Sequence, residues 1–172
     1  MTIKCLAFDL DGTLLLDGSK KIDPRTFDSI QKAMAQGMHV VIASGRDKNG
    51  CKFVYEPLGL ENGNHFLALV NGQVVYDFEN KEYDLDDVLT AEDGVKIQKV
   101  CKEFGVEGIF QCGYDFYSYI SSLNRVKKKV KNAILGEPDD YGLKDGRENR
   151  NFIDLPFEEI RLTQDINKVI MV

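Results

Sequence analysis

The chain has 172 residues, 43% of them apolar and 29% charged, and its 22 basic against 28 acidic side chains give a formal charge of -6. That balance describes a globular protein and excludes a disordered tail, a collagen-like repeat and a disulfide-stapled miniprotein. Folding at this length removes about 70% of the unfolded surface from water, enough for one sizeable core or two small ones, and an acidic excess argues against nucleic-acid binding.

Residues 3–8 read as a buried strand that runs straight into Asp9 and Asp11. This start leaves no room for a signal-peptide apolar stretch, and no apolar run approaches the ~18 residues of a membrane span, so the expectation is a cytoplasmic protein with no membrane partner. Asp23 followed by Pro24 predicts a helix N-terminus, with Phe27, Ile30 and Met34 at helical spacing until Gly37. A second strand is expected at 39–43, a weaker helix at 47–58 interrupted by Gly50 and Pro57, and a third strand at 66–70. Strand, helix, strand, helix, strand implies a parallel sheet with right-handed crossovers. Asn71-Gly72 is a hairpin signal, with an antiparallel partner strand at 74–76.

Further along, 91–104 reads as a helix carrying Ile97, Val100, Cys101 and Phe104 on one face. A hairpin is expected over 106–112 and 116–120, another helix under Val126, Val130 and Ile134, a polar turn-rich stretch at 136–151, and a strand from Lys168 onward. The change of character places a boundary near residue 80. Cys5, Cys51, Cys101 and Cys112 are scattered without a C-x-x-C pair, which suggests neither zinc nor a disulfide framework and leaves Cys5 and Cys101 as core fillers. Arg125, Lys127, Lys128, Lys129 and Lys131 read as a solvated helix face above Val126 and Val130. His39 and His65 lack a partner at metal-ligand spacing and read as structural. Tyr114, Phe116, Tyr117 and Tyr119 cluster in the second hairpin.

The informative hexapeptide is Asp9-Leu10-Asp11-Gly12-Thr13-Leu14, at the end of the first strand. Ligands of open parallel sheets bind beyond the carboxyl ends of the strands, and alternation points Asp9 and Asp11 the same way. Two neighbouring carboxylates suit either a hard divalent metal or a nucleophile beside an acid. A calcium loop fails, because its glycine and glutamate positions hold Leu14 and Lys20. Ser44-Gly45-Arg46, after the second strand, offers a hydroxyl, a close backbone and an amide at an incipient helix, the parts of a phosphate cradle. Asn71, after the third strand, ends on the same rim.

These motifs, with the Asn71-to-Asp77 hairpin, resemble the haloacid dehalogenase superfamily, in particular its Cof-type phosphatases. The resemblance implies an α/β fold: an incomplete HAD-like Rossmannoid parallel sheet at 1–80, the amino-terminal half of the core, with part of an inserted α+β cap domain at 81–172. It implies a Mg2+-dependent phosphatase of small phosphorylated metabolites such as sugar phosphates, or a phosphosugar mutase using the same chemistry. Asp9 would be the nucleophile and Asp11 the acid and base. Asp9 and Asp11 would hold the metal, and Ser44, Gly45, Arg46 and Asn71 would meet the substrate.

The family's lysine and its late acidic metal-binding segment have no counterpart in a suitable context here. A cation ~4 Å from the reacting oxygens is worth about 4 kcal/mol at an effective dielectric near 20. The expectation is therefore an amino-terminal part of a longer phosphatase, with a catalytically incompetent fragment or binding module as the alternative. The first strand should then lie exposed at a sheet edge, where self-association is a hazard.

Overall fold

A computed structural model describes residues 3–15, 21–85, 87–113, 115–135, 151–156, 159 and 162–172. The chain divides into two units, Met1–Asp87 and Val88–Val172, each built on its own sheet. In the first, β1 (Cys5–Asp9), α1 (Pro24–Ala35), β2 (His39–Ala43), α2 (Lys52–Leu58) and β3 (Phe66–Leu69) alternate, followed by β4 (Val74–Asp77) and β5 (Glu82–Leu85). The strands lie in the order β1-β2-β3-β4-β5. The first three are parallel, and β4 and β5 add antiparallel. Register sets Asp9 opposite Ala43 and Ala43 opposite Ala68, so three carboxyl ends share one rim. Leu10, Ile30, Val40, Ile42, Leu58 and Leu67 make the centre of the core beneath it.

Local chemistry explains the helices. Asp23 accepts the Arg25 amide at 2.9 Å with Pro24 in the first turn of α1, and Gly37 supplies the left-handed φ of 81° that turns the chain toward β2. The helix expected at 47–58 begins only at Lys52, after a 3-10 turn at Asn49–Cys51. Asp47 causes this delay: its buried carboxylate accepts the Gly50 amide at 2.7 Å and tightens the turn.

β1 lies at the sheet edge, as expected, with no described strand on its outer side. Its residues therefore alternate between exposed and half-buried instead of being buried throughout, and Cys5 is exposed rather than a core filler. β5 was not anticipated, because its Glu-Tyr-Asp-Leu sequence lacks an apolar run. The turn before it forms as Asp77 accepts the Glu79 and Asn80 amides at 2.8 and 3.2 Å, with Lys81 at a φ of 57°. Lys48 then sits 3.5 Å from the Tyr76 ring centroid and within 6 Å of Phe78 and Tyr83, at 5.8 and 5.9 Å. This cation in an aromatic cage ties the loop after β2 to the β4–β5 hairpin.

The second unit holds α3 (Ala91–Phe104), β6 (Gly108–Cys112), β7 (Asp115–Ile120), α4 (Ser122–Leu135), β8 (Asn151–Pro156) and β9 (Lys168–Met171), with sheet order β8-β7-β6-β9. Thr90 and Asp93 close a reciprocal capping box on α3. Gly94 permits the helix to approach, since a Cβ there would lie 2.2 Å from Ile166 Cδ1. Cys101, Phe110, Tyr119, Leu155 and Ile166 form the core. The expected apolar face of α3 is split: Ile97 and Cys101 pack inward, whereas Val100 and Phe104 are exposed. On α4 the expectation is reversed. Lys128 faces inward onto Glu107 while Val126 and Val130 are exposed, because an available carboxylate captured the lysine. β8 was not anticipated; Tyr114 and the polar stretch at 136–150 lie outside the described residues.

The two histidines serve the sheet. His39 donates through Nδ1 to the Asn64 carbonyl at 2.7 Å, and His65 Nδ1 accepts the Val40 amide at 3.1 Å, a bond that requires a neutral ring. Burial, and then the charge of His39, hold the His65 pKa below its ordinary value. The unfolded chain therefore takes up this proton first, so the contribution is complete above about pH 6.5 and declines as pH falls below it. The melting temperature should drop on acidification from pH 7.5 into that window, and His65→Gln should flatten the slope; an identical slope in both proteins would contradict the assignment.

Candidate active site

Gly12, at a φ of 77°, lets the chain curl back immediately after β1, a conformation that costs a side-chain-bearing residue about 1–2 kcal/mol. The Leu14 amide then reaches the Asp9 carbonyl at 3.2 Å, and the Leu15 amide the Leu10 carbonyl at 2.9 Å. The curl leaves Asp9, at the end of the strand, and Asp11, just past it, exposed and sets the Thr13 hydroxyl 3.3 Å from Asp9 Oδ2, where it donates. Thr13 was not singled out from the sequence, although its place four residues after Asp9 in a glycine turn is the signal for it.

Arg46 lies across from this turn and grips Asp11 with a fork. Its Nε donates to Oδ2 at 3.1 Å and its Nη2 to Oδ1 at 2.8 Å. Planar two-point pairing orients a carboxylate as well as attracting it. The guanidinium carbon also stands 5.6 Å from the Phe53 ring centroid, which limits its freedom. Sequence reasoning expected Arg46 to meet the substrate; the structure adds that its guanidinium is bonded to Asp11.

Backbone bonds stitch the three loops together. Ser44 donates its amide to the Ala68 carbonyl at 2.8 Å, and the Asn71 amide donates to the Ser44 carbonyl at 3.2 Å. The Val70 amide donates to the Arg46 carbonyl at 3.0 Å. Ser44 Oγ accepts the Arg46 amide at 3.2 Å, which keeps Gly45 in a tight turn between them. Asn71 has a φ of 61°, a conformation in which Asn is among the residues most readily accommodated. Thus Asp11 and Arg46 are bonded directly, Ser44 and Asn71 are joined through the backbone, and Asp9 lies on the neighbouring strand end.

The donor set suits a hard divalent metal. Asp9 and Asp11 present oxygen ligands only, and among the described residues no group of three His, Cys, Asp or Glu side chains gathers into a cluster. Mg2+ characteristically takes one or two carboxylates and completes its shell with waters and phosphate oxygens, whereas a structural zinc ion requires four protein ligands. With both Asp11 carboxylate oxygens engaged by Arg46, Asp9 is the side chain better placed to bind such an ion.

Comparison with known proteins bears on this geometry. The family model of the haloacid dehalogenase-like hydrolases matches residues 6–170. A curated protein of Streptococcus pyogenes serotype M6 is 36% identical over 127 residues, 69% of this chain and 46% of its own. The Bacillus subtilis 5-amino-6-(5-phospho-D-ribitylamino)uracil phosphatase YcsE is 37% identical over 75 residues, 44% of this chain and 28% of its own. The crystal structure of a haloacid dehalogenase-like hydrolase from Bacteroides thetaiotaomicron superposes with a TM-score of 0.70 at 22% identity, covering 99% of this chain and 58% of that one. The chain spans about half the length of the first of these relatives.

Behind Ser44, burial pushes the Cys51 thiol up to about 12, with Arg46 only partly opposing it, and Cys101 and Cys112 are also buried and raised. Since the thiolate is the reactive form, a thiol-specific disulfide reagent at pH 8 should modify Cys5 rapidly and the other three only on unfolding. Fast modification of Cys51 in the native chain would show that the loop around Ser44 opens readily.

Proposed function

The chain belongs to the haloacid dehalogenase-like hydrolase family, and from that premise we propose that it acts as a Mg2+-dependent phosphatase on small phosphorylated metabolites through covalent catalysis at Asp9. The observation that carries the reading is the pairing of an outward-facing Asp9 with an Asp11 gripped by Arg46, at the shared rim of three parallel strands. The phosphoribitylamino-uracil phosphatase among the relatives supports a phosphorylated small molecule as substrate. In this reading the first unit supplies the amino-terminal half of the catalytic core and the second belongs to the cap.

An Asp9 carboxylate oxygen bonds to phosphorus as the ester P–O bond breaks, and the departing alkoxide takes a proton from Asp11. A water then gives a proton to Asp11 and bonds to phosphorus, and the Asp9–phosphorus bond breaks to release orthophosphate. Ser44, the Gly45 amide and Asn71 face the phosphoryl oxygens. Asp9 and the Asp11 backbone carbonyl would hold Mg2+, which when bound offsets the repulsion between the nucleophile and its dianionic target. Arg46 aligns Asp11 as a carboxylate, the form needed to receive the proton of water. For the first step Asp11 must carry a proton, and the fork opens toward the arriving phosphate.

A second reading is a phosphate-binding half-site without turnover, because the family's lysine and late acidic metal-binding segment have no counterpart in a suitable context in this sequence. Both are distinguished by assaying phosphate release from p-nitrophenyl phosphate with Mg2+ and with chelator, alongside vanadate binding. In a protein that carries this chain together with the family's lysine and late acidic segment, the first reading expects Mg2+-dependent release that Asp9→Asn lowers by at least on the order of a thousandfold, and little turnover from the 172-residue chain alone; undiminished release in Asp9→Asn would remove Asp9 as nucleophile. Vanadate binding with no release selects the second. Arg46→Lys, which loses the fork, should lower kcat about tenfold with a smaller change in KM.

A further inference from the structure

The helix α4 packs with its polarity reversed. Lys128, whose side chain is only 13% exposed, pairs with Glu107 at 3.2 Å and Asp154 at 3.7 Å, and Glu107 also accepts the Ser118 hydroxyl. This tether turns the opposite face to solvent, where Leu123, Val126, Val130 and Ile134 are 65%, 59%, 51% and 77% exposed. Steps of three, four and four residues align them in one stripe, about 16 Å long at a rise of about 1.5 Å per residue. On the helical wheel, Lys127 and Lys131 lie along one flank and Lys129 along the other. None of these three forms an ion pair with a described residue. A cavity of about 380 Å³ opens beside them, lined among others by Asn124, Lys127, Lys128 and Lys131.

Charge decides what can cover the stripe. Within Ser122–Leu135, Arg125, Lys127, Lys128, Lys129 and Lys131 are basic and no residue is acidic. A second copy of the helix laid against it would set like charges together as the contact dried. The complementary surface is negative outside and apolar beneath, as in the headgroup layer of an acidic bilayer. From this arrangement we infer that α4 is a docking helix for membranes containing anionic phospholipid. The stripe sits at the acyl boundary and the flanking lysines extend to lipid phosphates. The contact is peripheral, since no helix among the described residues is long and apolar enough to cross a membrane.

The test is sedimentation of the whole chain with phosphatidylcholine vesicles, with and without phosphatidylglycerol, at low and high salt. The chain should sediment with acidic vesicles at low salt, far less with neutral ones, and be released by salt as screening shortens. Each lysine near an acidic leaflet is worth roughly a fivefold gain in partition, so changing Lys127, Lys129 and Lys131 together to Gln should weaken binding on the order of a hundredfold. Val126→Glu with Val130→Glu, at exposed positions and with an unchanged circular dichroism spectrum, should abolish it. The inference is overturned by no binding to acidic vesicles, by equal binding to neutral ones, or by full binding of the lysine variant. A dimer in light scattering that Val130→Glu dissociates would overturn it in favour of a second copy. An acidic amphipathic peptide that binds where vesicles do not would overturn it in favour of a protein partner. None of these readings depends on phosphatase activity.

Discussion

Parallel pairing in one register is the constraint on which the first unit depends. Asp9, Ala43 and Ala68 stand in a row across β1, β2 and β3, so whatever follows each of them emerges on the same rim. A slip of one residue would reverse every side chain on the shifted strand, burying Asp9 or exposing Val40 and Ile42. The apolar demand of the core therefore holds the polar rim in place. The chemistry-bearing residues are close because residues below them must be buried.

Above that rim, ordering comes from hydrogen bonds that the loops exchange. Asn71 and Val70 donate to Ser44 and Arg46, while the Lys48 ammonium lies over Tyr76. Such contacts keep a glycine-containing loop in one conformation, which matters for any site that must meet a charged group without reorganising. The fork between Arg46 and Asp11 belongs to the same system. It joins the turn after β1 to the loop after β2.

The second unit shows how one paired lysine can override hydrophobic patterning. Turning Val126 and Val130 inward would gain apolar burial, yet α4 presents Lys128 to Glu107 and Asp154 instead. Glu107 is itself largely buried against Ser118, and an unpaired carboxylate there would be costly. Satisfying that charge sets the rotation of the helix and leaves its apolar stripe outside. α3 has a milder version of the same split, with Cys101 buried and Phe104 exposed.

Features written in short-range chemistry were legible in the sequence. Asp23-Pro24 and Gly37 mark the ends of α1, alternating Val40 and Ile42 mark β2, and the Asp-x-Asp-Gly-Thr run after a strand marks the candidate site, because caps, turns and periodicity act between neighbours. Tertiary structure alone decided the rest. The sequence could not reveal that Arg46 would bind Asp11, 35 positions away, or that Lys128 would find Glu107, 21 positions away. Nor could it tell that two short segments, β5 and β8, would be drawn into sheets by their partners. These outcomes depend on which distant groups arrive within a few ångströms, and a charge or an unpaired strand edge is satisfied by whatever neighbour the finished fold supplies.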